Sequence, residues 1–596
     1  MESKFWRKSP IKKFNTEQTM YSLVTDEAKN DLDLDATGFM GNSMTYKELF
    51  ESAEDLAKSF NAMGVKEGDN VAILTISMPL VQQCLLSLSK IGATMSWIDL
   101  RVKEKDLINY INNGNCKAVV VFEDLLPLIE KISGYINAER VIVCSPKEYL
   151  KPAIKVLASL KDKKEGKKIV MPSDDRFVKF SDFIKEGKHT GSVSTADFKI
   201  DRPSLIVQSS GSTGKPKQIV HTERNFNSEV QKMAYVDLPF YKGDTMHISV
   251  PPFIIYGLAN SIYASMAFTM KAEMTPFVDE NTVYNDLGKF DMSLAAPLHY
   301  RYIFEQLNNL RKDIDQLQKN SDLKSKSELR KKLKELNRVL NGFNRAKVFV
   351  SGGDKISAEE LIEMQQAFDT TIVNGYGNNE CLGATIVSPR FANKPGSIGV
   401  PMHGVDIKLV NPDTGEEAKA GELGELYVSS DNLFVEYLNN PKETSKIKVT
   451  DENGKQWVKT GDLCIIDSEG YIIPKGRNRR LIRKDAFKIA PDTIEEVIIS
   501  LPYVKDCVVV GVDDEKFISV PMAFIELEKN IDINDVYADI EKKCVEELPD
   551  YEVPSYFEQI EEMPYTSNGK HDFRRLEELG NNFVKERKGI TKVLKK

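Results

Sequence analysis

The chain is poor in several things that would place it in a special class. Its 596 residues include seven cysteines, at 84, 116, 144, 381, 464, 507 and 544, and none forms a CxxC pair. Odd in number and scattered, they offer neither a disulfide framework nor zinc-ligand spacing, and they fit a reducing compartment. There is no basic excess: 81 Lys and Arg stand against 89 Asp and Glu, a formal net charge of −8. Without a global positive field, DNA and RNA are not expected as partners. The uncharged run at 249–270, "SVPPFIIYGLANSIYASMAFTM", is long enough to span a bilayer, but Pro251, Pro252, Asn260 and several serines interrupt it. It reads as a buried loop and helix, so no membrane span is expected. The first thirteen positions carry five Lys/Arg residues with no apolar core behind them, unlike a secretory signal. These absences leave a cytoplasmic protein. What is present is 41% apolar and 29% charged residues, over a length sufficient for several cores and more than one domain.

Apolar strand-like runs alternate with helical periodicity. "NVAIL" (70–74) precedes an amphipathic stretch through Leu88, and "CKAVVVF" and "ERVIVC" follow with helical segments between them. This alternation predicts βαβ units and parallel sheet, an α/β fold. After Lys394 the texture becomes short alternating strands with Gly/Pro turns, "NPDTG" (411–415) among them, which predicts a small antiparallel sheet or barrel. The last segment reads as compact α+β: strand "GYIIPKG", a basic cluster at Arg477, Arg479, Arg480 and Arg483, then helix, two strands and a final helix. The charged stretch 300–347 has leucines at 329, 333, 336 and 340, one narrow helical face, and predicts a solvated helical hairpin on the surface.

The stretch that carries chemistry is "QSSGSTGKPKQIVHT" (208–222), directly after the apolar "LIV". It is not a Walker loop, because Pro216 falls where the second glycine is required. Gly211 and Gly214 allow tight turns, Ser209, Ser210, Ser212 and Thr213 offer hydroxyls, and Lys215 and Lys217 bring charge. Such a loop can cradle a polyphosphate.

"SSGSTGKPK" resembles the signature loop of the adenylate-forming superfamily of acyl-CoA synthetases, peptide-synthetase adenylation domains and luciferases. Further motifs follow in that family's order: "VPPFIIYG" (250–257), "VSGGDKIS" (350–357), "NGYGNNE" (374–380), "GELGELYV" (421–428), "KTGDL" (459–463), "GRNRRLIRKDAFKIAPDTIEEVI" (476–498) and "PYTSNGKHDFRRL" (564–576). The resemblance covers nearly the whole chain. It implies a large N-terminal domain (1–476) of two parallel-sheet α/β subdomains plus a small β-barrel (about 391–476). A hinge at 477–479 and a small mobile α+β C-terminal domain (480–596) would follow. The residues of 209–213 and Lys217 would hold the ATP phosphates and the leaving pyrophosphate. Glu380 would coordinate Mg2+, Tyr376 would stack on adenine, with Gly377 and Asn379 in the same motif, and Gly352, Gly353 and Asp354 would form the opposite wall. Asp462 would accept the ribose hydroxyls with Arg477 beside it, and Lys570 would stabilise charge between carboxylate and α-phosphate.

The implied reaction joins a carboxylic, fatty acid to ATP, giving acyl-AMP and pyrophosphate, then transfers the acyl group to CoA with release of AMP. Arg479 would turn the C-terminal domain between these steps. Phe253, Ile254 and Tyr256 would line the acyl pocket of an enzyme acting as a monomer or homodimer. The sequence departs from the family at several points. Arg479 stands where Asp or Lys is usual, Ala486 replaces a glycine beside the thiol tunnel, Ile254 an aromatic or histidine, Asn379 a threonine and Gln218 a glycine. Two other readings stay open: an acyl-AMP ligase that loads a carrier protein, and an inactive nucleotide-binding protein. For His221, His247 and His299 packing or hydrogen bonding is expected, since an ionised carboxylate needs no general base.

Overall fold

A computed structural model describes residues 5–164, 170–208, 217–279, 281–320, 322–477, 480–484, 487–514, 518–566 and 571–587. By internal contacts the chain divides into two units, Met1–Ile407 with Val428–Val458, and Lys408–Tyr427 with Lys459–Lys596.

In the first unit the apolar runs become a seven-stranded sheet. Its spatial order is Phe177–Lys179, Arg140–Cys144, Cys116–Phe122, Asn70–Leu74, Thr94–Trp97, Pro203–Gln208, Gln218–Thr222. Neighbours run parallel, as intervening helices require, except the last pair, which is antiparallel. The Ser/Gly/Lys stretch therefore joins two antiparallel strands, whereas a Walker loop opens a helix. The amphipathic stretch after Leu74 differs from expectation: every residue of helix Leu80–Ile91 is buried. Its polar side meets other protein rather than water. Gln82 pairs with Thr37, Tyr149 donates its hydroxyl to Gln83 Oε1 at 2.7 Å, and Ser89 bonds to Glu223.

A nine-stranded sheet completes this unit. Its order is Val400–Pro401, Gly383–Val387, Ile372–Asn378, Val348–Gly352, Met292–Ala295, Thr245–Ile248, Lys271–Met274, Asp35–Phe39, Asn42–Thr45. The six strands from 372–378 to 35–39 are parallel and the outer ones antiparallel. The uncharged run 249–270 folds as buried helical turns, Tyr256–Tyr263 and Ala264–Ala267, and no helix among the described residues is long and apolar enough to cross a membrane. The charged stretch forms the helices Pro297–Gln318 and Leu323–Arg345. The buried residues of the second helix are Val339, Gly342 and Phe343, not the leucine stripe, and Leu333 is 38% exposed. Only its last turns reach the core, where Phe343 stacks on Phe368 at 4.6 Å.

The small β region contributes Asp406–Val410, Gly424–Ser429, Lys448–Thr450, Gln456–Ile466 and Ile472–Arg477 to a five-stranded sheet. At the "NPDTG" turn Asn411 Oδ1 accepts from the N–H of Asp413 at 2.9 Å. In the second unit Val504–Asp514 and Ile518–Leu527 pair antiparallel, and their alternation divides two cores. Cys507, Val509, Ala523 and Ile525 pack with Ile494, Ile498 and Ile540, while Val508, Val510, Met522 and Phe524 pack with Leu576 and Val584.

The densest polar knot of the first unit surrounds Glu229 on helix Glu223–Met233, a wholly buried carboxylate. Burial pushes its carboxyl above the usual range, and Lys232, 2.7 Å away, pulls it back. Asn260 Nδ2 donates to it at 2.6 Å, the Ala384 N–H at 3.1 Å and Asn432 Nδ2 at 2.6 Å. Glu229→Ala leaves a buried ammonium without its counter-charge. It should lower stability by about 3–5 kcal/mol, read as a lower urea midpoint, with a smaller loss for Glu229→Gln.

Candidate active site

The site in the first unit begins where the 348–352 and 372–378 strands end. Gly352 lies opposite Gly375. A Cβ on Gly352 would sit 3.1 Å from Gly375 O and 3.2 Å from Tyr256 Cζ. A bare backbone is thus needed for Tyr256 to lie against the strand and donate its hydroxyl to Val350 O at 3.0 Å. Tyr376 follows Gly375 directly and is half-buried, and Gly353 and Asp354 continue outward from Gly352, exposed. Of the other acyl-pocket candidates, Phe253 is half-buried with the Arg101 guanidinium 5.6 Å from its ring centroid, and Ile254 is 38% exposed.

The turn bearing Glu380 is strapped on all sides. A side chain on Gly377 would meet Gly383 O at 1.8 Å, so this crossing of the strand pair requires glycine. Asn378 accepts from the Cys381 N–H at 2.9 Å, the Phe434 N–H donates to Glu380 O at 2.7 Å, and Asn432 Nδ2 donates to Cys381 O at 2.8 Å. Lys232 reaches Ala384 O at 2.8 Å, which makes the Glu229 knot the floor of the turn. Asn379, the departure from threonine, donates from Nδ2 to Gln208 O at 3.3 Å and ties the turn to the strand that leads into the Ser/Gly/Lys loop. Its carbonyl accepts from His221 Nε2 at 2.7 Å. Gln218 accepts from Asn113 Nδ2 at 2.6 Å and donates to Tyr110 O at 3.3 Å, so its extra bulk is taken up as a tether.

Two residues that motif reasoning missed complete the cluster. Tyr437 donates its hydroxyl to Glu380 Oε1 at 2.7 Å, and burial, followed by the Glu380 charge, raises the phenol well above its usual range. Lys217 Nζ stands 4.7 Å from the Tyr437 ring centroid and 2.7 Å from Glu443 Oε2. Lys217, then Lys446, hold the Glu443 carboxyl down to about 2. The only local signal for this part is Asn440-Pro441, which caps and opens helix Pro441–Ile447. It says where a helix starts and nothing about what Glu443 will face. The histidines are structural: His221 and His299 are pushed down to about 4 by burial, and His247 bonds Thr275 Oγ1 at 3.0 Å.

In the second unit Asp462 and Arg477 are cross-strand partners, with Nε 2.6 Å from Oδ1. Arg480 of the basic cluster is a pillar of that unit: it pairs with Asp492 and Glu495 and donates to Val509 O at 3.1 Å. Asp506 Oδ2 holds both Tyr565, through its hydroxyl at 3.2 Å, and His571 Nε2 at 2.8 Å. Ser209, Ser210, Gly211, Ser212, Thr213, Gly214, Lys215, Arg479, Ala486 and Lys570 lie outside the described residues. Among the described residues no group of three or more His, Cys, Asp and Glu could hold a metal ion. A Mg2+ bound by one carboxylate and phosphate oxygens needs no such group, and the chemistry of Glu380 fits that role.

The fold is that of adenylate-forming enzymes. ATP-bound MatB from Rhodopseudomonas palustris matches with a TM-score of 0.77 at 20% identity, over 96% of this chain and 99% of that one. A family model described as "AMP-binding enzyme" matches residues 24–438, and one described as "AMP-binding enzyme C-terminal domain" matches 493–570. The chain belongs to the AMP-binding enzyme family, close to the acyl-CoA synthetases. Similar curated proteins include the long-chain-fatty-acid–CoA ligase of Bacillus subtilis (strain 168), 23% identical over 95% of this chain and 96% of that protein. Another is the 2-succinylbenzoate–CoA ligase of Listeria innocua, 23% identical over 91% and 96%.

Tyr437→Phe removes one hydrogen bond to a carboxylate, and the MgATP concentration needed for half-maximal thermal stabilisation should rise about tenfold. Between pH 6.5, where unfolded His221 titrates, and about 4, where the folded one does, the unfolded chain takes up the proton. Stability should therefore fall as pH falls through this window, and His221→Gln should flatten that slope in urea titrations.

Proposed function

We propose that this chain is an AMP-forming acid:thiol ligase that activates an apolar, fatty carboxylic acid and transfers it to CoA. One observation carries the reading. Glu380, Tyr437 and Lys217 form a linked acid–phenol–ammonium row, and Glu380 lies just past the carboxyl end of the parallel strand Ile372–Asn378, where α/β sheets bind nucleotides. In the first step a carboxylate oxygen attacks the α-phosphorus of ATP, and the bond to the bridging oxygen of pyrophosphate breaks. Two anions must approach, so the protein has to neutralise and align them.

Lys217, with Ser209–Lys215, would hold the phosphates and the departing pyrophosphate. A magnesium ion held by Glu380 and the phosphates would supply further charge neutralisation. Tyr376 and Gly352–Asp354 would bound the adenine, and Gly377 and Asn379 would shape the turn beside it. Asp462 would accept from the ribose hydroxyls, with Arg477 fixing its orientation, as their 2.6 Å ion pair supports. Lys570 would place its ammonium between the carboxylate and the α-phosphate. In the second step a thiol sulfur attacks the acyl carbonyl carbon and gives up its proton to solvent, and AMP departs with the electrons of the broken carbon–oxygen bond. Rotation of residues 480–596 about Arg479, against the body 1–476, would exchange Lys570 for the face carrying Ala486.

The neighbourhood of Phe253, Ile254 and Tyr256 favours an acyl chain over a charged group. Seven buried free cysteines favour the cytoplasm. Pyrophosphate release across acids of graded length, with CoA or a holo-carrier protein as acceptor, tests the proposal. Release stimulated by long acids and by CoA is the expected outcome, preference for the carrier would reassign the acceptor, and no acid-dependent release would overturn the reading. Lys570→Ala should slow acyl-AMP formation by about two or more orders of magnitude and largely spare thioester formation from supplied acyl-AMP.

A further inference from the structure

The helix Leu323–Arg345 is out of balance with the rest of the chain. It carries eight Lys/Arg against two Glu, in a protein whose net charge is −8. Its basic residues are not spread evenly. Lys334, Asn337, Arg338, Asn341, Gly342 and Arg345 recur at the spacing of one helical face. This face lines an open, solvent-facing cavity of about 610 Å³ whose other wall is the turn 285–289, and Lys289, Lys334, Asn337, Arg338, Asn341 and Arg345 are all exposed in it. No acidic side chain lines it.

The two walls are held close by construction. A Cβ on Gly342 would sit 3.0 Å from Gly288 N and from Leu287 Cβ, so the helix can approach the turn only through glycine. Arg345 donates to Gly288 O at 2.7 Å and lies 3.5 Å from Asp291, which makes it a strut of the wall as well as part of the lining. Lys289 pairs with Asp286 at 2.6 Å. Arg338 lies over the Tyr284 ring at 5.3 Å, and among the described residues neither it nor Lys334 has an ion-pair partner. The cavity is thus lined by cations and amides, and two of the cations, Lys334 and Arg338, are solvent-exposed and outside any ion pair among the described residues.

Its location separates it from the site above. The turn 285–289 precedes strand 292–295 and the helix precedes strand 348–352, so the cavity lies at the amino ends of these strands. Gly352 and Tyr376 lie at the carboxyl ends, the other edge of the same sheet.

We propose that this cavity is a second anion site, for a ligand with clustered phosphate oxygens. Guanidinium forks pair with two phosphate oxygens at once and an ammonium serves as a point charge beside them. The amides of Asn337 and Asn341 supply further donors, and a single carboxylate would leave most of the donors unused. The open site admits a small organic polyphosphate or a phosphorylated headgroup.

Sodium tripolyphosphate, titrated calorimetrically into the full chain with AMP at saturation, tests the soluble source. Sedimentation with phosphatidylcholine vesicles, with and without phosphatidylglycerol, tests the lipid source. We expect saturable binding of one of these probes, weakened about tenfold or more in Lys334→Glu/Arg338→Glu. The control Lys324→Glu/Lys326→Glu makes the same charge change on the same helix outside the lining and should weaken binding far less. Tripolyphosphate binding without sedimentation assigns a soluble anion, and phosphatidylglycerol-dependent sedimentation lost in the cavity variant assigns a headgroup. Acid-dependent pyrophosphate release should be unchanged in the cavity variant, and the binding result does not depend on that activity. Lys334→Gln/Arg338→Gln should reproduce the loss if charge reversal lowers the melting temperature. Equal losses in cavity and control variants, or no saturable binding of either probe to the wild-type chain, would overturn the proposal.

Discussion

A carboxylate shut away from water has to be answered by donors, and the donors around Glu229 come from four separate parts of the chain. Lys232 belongs to its own helix, Asn260 to the buried helical turns, Asn432 to the segment that returns after the small strands, and the Ala384 N–H to the strand beyond the Glu380 turn. Two of these groups serve more than one partner. Asn432 also holds Cys381 O, and Lys232 also holds Ala384 O. The turn presenting Glu380 thus inherits its position from a charge it never touches. A buried network of this kind is stable only when complete, which couples the geometry of the site to the packing beneath it.

Above that floor the charges are arranged in a row. Tyr437 stands between Glu380 and Lys217, and Glu443 holds the far side of the lysine. On the proposed function, an incoming phosphate would compete with the Glu443 carboxylate for the same ammonium. The ammonium is kept oriented without being left bare, the kind of preorganisation that electrostatic catalysis depends on. The family departures at Asn379 and Gln218 belong to the same economy: both side chains tether backbone at the ends of the Ser/Gly/Lys loop.

Much of this was legible before any coordinates. The runs "NVAIL", "CKAVVVF" and "ERVIVC" became parallel strands because a strand buried on both faces reads as a continuous apolar run, and the order of motifs identified the family. The helix Leu80–Ile91 misled because its serines and glutamines mimic a solvated face while they bond to buried partners. The leucines of the helix Leu323–Arg345 misled for the opposite reason, since a stripe of the right period does not say which turns meet the core. Tyr437 and Glu443 could not be found by motif, because their roles come from meeting Glu380 and Lys217 across long separations in the chain.

The sequence by itself determined the α/β class and the family, because these are local: a period, a turn residue, a spacing. Only the tertiary structure decided which carboxylate faces which ammonium, that His221 is a neutral buried strut, and that a cationic helix face closes over a glycine turn at the far edge of the sheet. Such pairings depend on where distant segments come to rest once apolar burial has packed them, and neighbouring residues carry no record of that.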